Sequence, residues 1–114
     1  MMYSQGDVLL VSLPFTDLTS QKRRPVLVLS KNEYNNATED LIVAAITSKI
    51  DAKPYVVVFT DNDMATGSLK VDSCIRIDKI YTLSQDIIPK YFGRVKLNII
   101  EQVKRQVLEI IGGY

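Results

Sequence analysis

Histidine is absent from the 114 residues, and that absence removes more chemistry than any other feature of the composition. Without imidazole there is no Ser-His-Asp or Cys-His relay, no two-histidine nuclease and no zinc site built on histidine. Acid–base work falls to Arg, Lys, Asp, Glu, Tyr or hydroxyls assisted by backbone. The single cysteine excludes an intramolecular disulfide and suits a reducing cytosol. Cys74 lies in an alternating run with nothing to activate it, and reads as a small buried hydrophobe. Charge is also lacking: 14 Lys and Arg against 13 Asp and Glu leave a net +1. No long-range field announces a polyanion, so any such site is a local cluster. Few phosphate contacts are needed for a short single strand, and RNA stays open as a partner. No run of about 18 apolar residues is present, so no transmembrane helix is expected. The segment Met1-Met2-Tyr3-Ser4-Gln5 lacks the basic-then-apolar pattern of a signal peptide. The expected setting is cytoplasmic, with no membrane partner.

What is present is an ordinary globular composition, 46% apolar and 24% charged, which predicts one domain over 1–114 with a modest core. Val8 to Leu13, after Gly6-Asp7, reads as a first strand. Pro14 to Arg24 has the polar composition of a long, functional loop. Val26 to Ser30 is apolar on both faces, which predicts a central strand. Asn32 to Asp40 reads as loop with room for one helical turn. Leu41 to Thr47 and Tyr55 to Thr60 are further strands, with a turn at Asp51 to Pro54, a turn cluster at Asp61-Asn62-Asp63 and a break at Gly67-Ser68. Val71 to Ile80 alternates, with Val71, Ser73, Ile75 and Ile77 on one side and Cys74, Arg76 and Asp78 on the other, as in a half-buried antiparallel strand. Gly93-Arg94-Val95 can add one more. The chain closes with a helix, with Asn98 as N-cap and Glu101 three residues on. Its apolar face is read as Ile100, Val103, Val107, Leu108 and Ile111, and Gly112-Gly113 ends it. Regularly spaced strands and a terminal helix predict a mainly β fold, a small bent sheet or barrel with one helix across it.

One stretch organises the rest. Gln21-Lys22-Arg23-Arg24-Pro25 places three cations at what reads as the entrance of the apolar strand Val26-Leu27-Val28-Leu29-Ser30. Pro25 biases Arg24 toward extended backbone, which fixes the cations at a strand end. On residues alone this is either a solvated basic turn, with Arg24 satisfying loop carbonyls, or an anion site.

Four blocks carry a resemblance to a known family. They are Gly6-Asp7-Val8-Leu9-Leu10-Val11, then Ser20-Gln21 through Arg24-Pro25-Val26-Leu27-Val28-Leu29-Ser30, then Ile46-Thr47-Ser48-Lys49, and Gly67-Ser68-Leu69. The strand Ser73 to Ile80 with Thr82, and Gly93-Arg94, extend the match over nearly the whole chain. In order and spacing the sequence resembles the MazF/PemK (Kid-like) toxins of type II toxin–antitoxin systems. The resemblance implies an SH3-like small β-barrel with a C-terminal helix, a homodimer, an antitoxin partner, and metal-independent, cofactor-free cleavage of single-stranded RNA. It places the active arginine at Arg24 and the active hydroxyl at Thr47, with Ser48 beside it. The acidic residue that many members carry near Ser20 is missing, which leaves the general base unassigned.

The chemistry fits those residue types. Cleavage through the ribose 2′-OH needs a proton acceptor, stabilisation of charge on the phosphorane oxygens, and protonation of the leaving 5′-oxygen. Of these, preorganised donors aimed at the developing charge usually lower the barrier most. A planar guanidinium matches phosphate oxygens and stays charged, which favours Arg24 over Lys22 as stabiliser; Thr47 can add a hydroxyl donor. Arg23, Lys22, Ser48 and Lys49 are candidate RNA contacts, with Arg76 and Lys79 as further groove candidates. Phe15 is the better base-stacking candidate, Tyr55 and Tyr81 being read as core or interface residues. Asp17 is the nearest loop acid, more naturally a turn cap. Two other readings remain: a CcdB-like toxin of the same fold that docks on DNA gyrase, and a degenerate member that only binds RNA.

Overall fold

The computed structural model describes residues 3–14, 21–50 and 53–113. Seven strands and two helices follow one another: β1 Asp7–Pro14, β2 Gln21–Val28, α1 Asn32–Ala37, β3 Asp40–Thr47, β4 Val56–Phe59, β5 Met64–Gly67, β6 Ser73–Ser84, β7 Lys90–Val95 and α2 Leu97–Ile110. The strands form one antiparallel sheet in the order β4-β6-β3-β2-β1-β7-β5. The sheet curls into a half-barrel with α2 as its C-terminal helix. This is the expected fold class.

Period-two alternation divides the sheet into two apolar faces. Val8, Leu27, Ala44, Ile46, Val57, Phe59, Ile75 and Ile77 line the inside of the curl, where Ile99 and Val103 of α2 pack on them. Leu9, Val11, Val26, Val28, Leu41, Val43 and Leu83 form the opposite cluster with Tyr3. β2 contributes to both, as its unbroken apolar run requires, and lies centrally between β3 and β1. Cys74 is buried, as expected.

The structure corrects several boundaries. The basic stretch is not the end of a loop: Gln21–Pro25 is already strand, laddered to Leu10–Pro14 of β1. Gly67 does not break the chain but ends β5, facing Gly93 of β7. Both glycines have positive φ, and a Cβ on either would lie 1.9–2.1 Å from a carbonyl oxygen of the other strand. The two backbones approach this closely only because neither carries a side chain. α2 begins at Leu97, with Lys96 at the cap and no side-chain capping bond, so Asn98 lies inside the first turn. Ile99 and Val103 are the buried residues, with Ile100, Val107 and Ile110 partly buried behind them, while Leu108 is half-exposed at the margin of this face and Ile111, just past the helix, is exposed.

Two polar devices lock the sheet. The buried Asp7 carboxylate takes Ser4 N–H at 2.7 Å and Arg94 Nε at 2.9 Å, joining the first strand to the last. This hydrogen bond raises the Arg94 pKa beyond its ordinary value. At the other end of β2, buried Asn35 of α1 donates to the carbonyls of Tyr3 and Ser30, and Ser30 Oγ accepts from Ile42 N–H. Among the described residues no helix is long and apolar enough to cross a membrane.

Candidate active site

β2 and β3 are paired from Val28↔Val43 to Val26↔Ala45, and the ladder ends there among the described residues. Arg24 and Thr47 each lie two residues beyond that last pair, on their respective strands. The strands part at this point because Pro25 has no N–H to continue a ladder, and because the last residues of β3 stay with β6, through Ile46↔Ile75 and Thr47↔Cys74. Arg24 is held from its other side, opposite Val11 of β1. Residues 24, 26 and 28 share one face of β2, and residues 43, 45 and 47 share that face of β3. Arg24 is half-buried, with Nε shielded from solvent. A cation is thus fixed by a ladder on one side, at the mouth of a split in the sheet.

β6 extends this face. Arg76 sits opposite Ala45 of β3 and Val56 of β4, and a register shift between Ala44 and Ala45 offsets the rest of the β3 ladder. Arg76 and Asp78 form a two-pronged pair, Nε to Oδ1 at 2.9 Å and Nη2 to Oδ2 at 2.8 Å. This fork geometry is the strong form of an arginine–carboxylate contact. Its hydrogen bonds hold the Asp78 pKa below the ordinary aspartate value, against the opposing effect of burial and with the Arg76 charge adding to the lowering. The β3 end is also built: Lys49 N–H donates to Thr47 Oγ1 at 3.1 Å, and Cys74 Sγ lies 3.8 Å from the Lys49 carbonyl. With that lone pair occupied, the Thr47 hydroxyl proton is directed elsewhere.

The remaining predicted site residues fall into three groups. Ser48 and Lys49 are exposed just beyond Thr47. Arg23 is exposed on the face of β2 opposite to Arg24, in register with Ser12. Lys22 has a backbone position opposite Leu13; Phe15, Asp17 and Ser20 lie outside the described residues. Sequence reasoning found Arg76 only as a groove candidate and did not pair it with Asp78. The signal was present, since alternation puts 74, 76 and 78 on one side of β6, but the β3–β6 register was needed to bring that side to Thr47. Among the described residues no group of three or more His, Cys, Asp or Glu side chains is placed to hold a metal ion.

A second surface lies on the far side of β2. Leu27, Leu29, Ile42 and Ile80 of the sheet and Ile100, Val103, Val107 and Leu108 of α2 line an apolar groove of about 450 Å³. Ile80 is 42% and Leu108 50% exposed at its rim.

Comparison with known proteins places this geometry. The model of one family, PemK-like, MazF-like toxin of type II toxin-antitoxin system, matches residues 4–111. No curated protein matches the chain in sequence. Among solved structures, an endoribonuclease in complex with its cognate antitoxin from a mycobacterial species superposes with a TM-score of 0.80 at 22% identity, covering 96% of this chain and 95% of that one. A second mycobacterial endoribonuclease gives 0.79 at 21% identity, over 98% and 93%. A MazE-MazF complex from Deinococcus radiodurans gives 0.76 at 18% identity, over 98% and 97%.

Proposed function

Because the chain belongs to the PemK-like, MazF-like toxins of type II toxin–antitoxin systems, we propose that it is an endoribonuclease cutting single-stranded RNA by attack of the ribose 2′-OH. What supports this reading is that the Arg24 face of β2, whose next residue on that face, Val26, stands opposite Ala45, is the face of β3 and β6 that carries Thr47 and Arg76, with Asp78 paired to Arg76. In this mechanism O2′ bonds to phosphorus as the bond to the 5′-oxygen breaks, leaving a 2′,3′-cyclic phosphate and a 5′-hydroxyl. Arg24 donates to the phosphorane oxygens, where a preorganised charged donor has its largest effect. Thr47 adds its hydroxyl to the same group. Asp78, kept ionised by Arg76, accepts the 2′-OH proton, which ends on the leaving 5′-oxygen. This fills the role that the missing loop acid near Ser20 left unassigned. No step requires a metal or cofactor.

Lys22, Ser48, Lys49 and Phe15 are proposed as contacts to RNA flanking the scissile phosphate, and Arg23, on the opposite face of β2, as a contact only to RNA that continues past the start of that strand. The assembly is proposed to be a homodimer, in which a second copy covers the apolar groove of α2, Ile80 and Leu108 about a two-fold axis. A cognate antitoxin is proposed as the inhibiting partner in the cytoplasm, as the endoribonuclease and MazF neighbours are found bound to antitoxins.

The test is incubation of purified protein with a long mixed-sequence RNA, with and without excess EDTA. Cutting at short sequences to cyclic-phosphate ends in both conditions is expected. Loss of cutting on chelation, restored by magnesium, overturns the metal-free mechanism. Binding without cutting points to an RNA-binding member, and inhibition of DNA gyrase without RNA binding to the CcdB-like alternative.

A further inference from the structure

Among the described residues Tyr55 is the one non-glycine residue with positive φ, at +62°. A tyrosine has no short polar side chain to compensate the left-handed backbone, as Asn or Asp would. Strain of this kind persists where the surroundings enforce it, and it gathers at functional sites. Here the surroundings are those of the candidate active site. The Tyr55 carbonyl accepts Ile77 N–H at 3.0 Å, between Arg76 and Asp78, and the next residue, Val56, is in register with Arg76. β3 at Ala45 is two ladder steps away, about 10 Å.

The left-handed residue also changes what Tyr55 exposes. Val57 and Phe59 alternate into the core on the inside of the curl, and an unbroken β4 would send residue 55 the same way. Instead Tyr55 remains 37% exposed. Lys49, just beyond Thr47, and Lys53, just before Tyr55, are both exposed. An exposed aromatic residue next to the strand pair that holds Arg76, about one nucleotide's reach from a phosphate site, has the chemistry of a stacking platform for an unpaired base.

We propose that Tyr55 is a substrate-binding residue that stacks on a nucleobase beside the scissile phosphate. This rests on the ribonuclease reading and deepens it. Aromatic stacking, and not the bulk of the side chain, is then what this position contributes, and the left-handed backbone is what holds the ring out of the core.

The experiment compares wild type, Tyr55→Phe and Tyr55→Leu in affinity for an oligoribonucleotide made uncleavable by a 2′-deoxy substitution at the mapped cut site. Leucine keeps apolar bulk and the same backbone strain but has no aromatic face. Tyr55→Leu should bind on the order of 5- to 150-fold more weakly, the usual loss for one stacked base, while Tyr55→Phe stays within about threefold. Melting temperature and sedimentation should match wild type for both. An abasic nucleotide scanned along the RNA should, at one position, weaken wild type by the factor that Tyr55→Leu loses and leave Tyr55→Leu unaffected. Equal affinity of wild type and Tyr55→Leu, equal sensitivity of both to every abasic position, or a changed oligomeric state in Tyr55→Leu overturns the proposal while leaving RNA cleavage standing. A wild type that neither binds nor cuts RNA removes the ribonuclease reading and this inference with it.

Discussion

Replacing Arg24 separates chemistry from folding, because the two effects differ in size. The side chain is half-buried and its residue is held in the sheet by backbone pairing to Val11, so substitution leaves the β1–β2 ladder in place. Truncation to alanine removes the packing of part of a three-methylene stem. At about 0.8 kcal/mol per fully buried methylene, a half-buried stem contributes about 1–2 kcal/mol. A domain of this size has about 5–15 kcal/mol in hand, so the protein remains folded at 25 °C with a melting temperature lowered by several degrees. Removing the guanidinium from a developing phosphorane should instead lower the cleavage rate by about 10²–10³. Arg24→Met keeps the stem and should melt close to wild type yet cut as slowly as Arg24→Ala. Arg24→Lys should recover little, since a point charge does not reproduce a planar fork. Single-turnover cleavage of a fluorophore–quencher RNA, with melting curves on the same samples, reads both effects. Methionine and alanine variants that cut within a few-fold of wild type would refute the role, as would loss of activity that tracks loss of the folded state.

Four further outcomes are expected. Thr47→Ala should slow cleavage less than Arg24→Ala, since a neutral donor is weaker than a charged one, and Thr47→Ser should retain most of the rate; single-turnover assays rank them. Because the Asp78 pKa is lowered in the folded state, its pair with Arg76 stabilises the protein above the unfolded carboxylate pKa and ceases to do so as pH falls through the lowered value. With no histidine in the chain, cleavage should therefore show no acid limb between about pH 5 and 8, and a rate that halves well above pH 5 would remove Asp78 from the mechanism. Leu108→Glu places a charge in the apolar groove and should convert the proposed homodimer to monomer by sedimentation, while a dimer that persists would put the interface elsewhere. Gly67→Ala sets a Cβ at 1.9 Å from the Phe92 carbonyl oxygen, so β5 must leave β7; a fall in melting temperature of more than about 10 °C is expected, and an unchanged value would contradict that close approach.

Much of this was legible in the chain because strand patterning is local. The apolar runs of β1, β2 and β3 and the alternation of β6 are visible residue by residue, and they put Cys74 inside. What was not legible depends on partners far away in sequence. Lys22 to Arg24 read as a loop end because three adjacent cations resemble solvated surface, whereas their extended form comes from pairing with β1. β5 was invisible, being four residues ending at a glycine whose meaning lies in Gly93 opposite. Asn98 looked like a cap by type, but Lys96 takes that place, and which helix residues are covered follows from how α2 docks on the sheet, which leaves Leu108 and Ile111 exposed. At the site, Arg24 and Thr47 could be named from motif order, whereas joining them to Arg76 and Asp78 required a register that jumps between Ala44 and Ala45.

The tie between Asp7 and Arg94 bears on how the protein comes into being. The first strand finds its outer neighbour only when β7 has been made, and the inside of the curl is uncovered until α2 follows. A growing chain that stops short of Lys90 holds Arg24, Thr47 and Arg76 on strands whose apolar undersides face water, an arrangement with little to keep it assembled. Such long-range closure also places folding among the slower, β-dominated cases. The candidate catalytic face is thus assembled only once β7 and α2 have joined the strands that precede them.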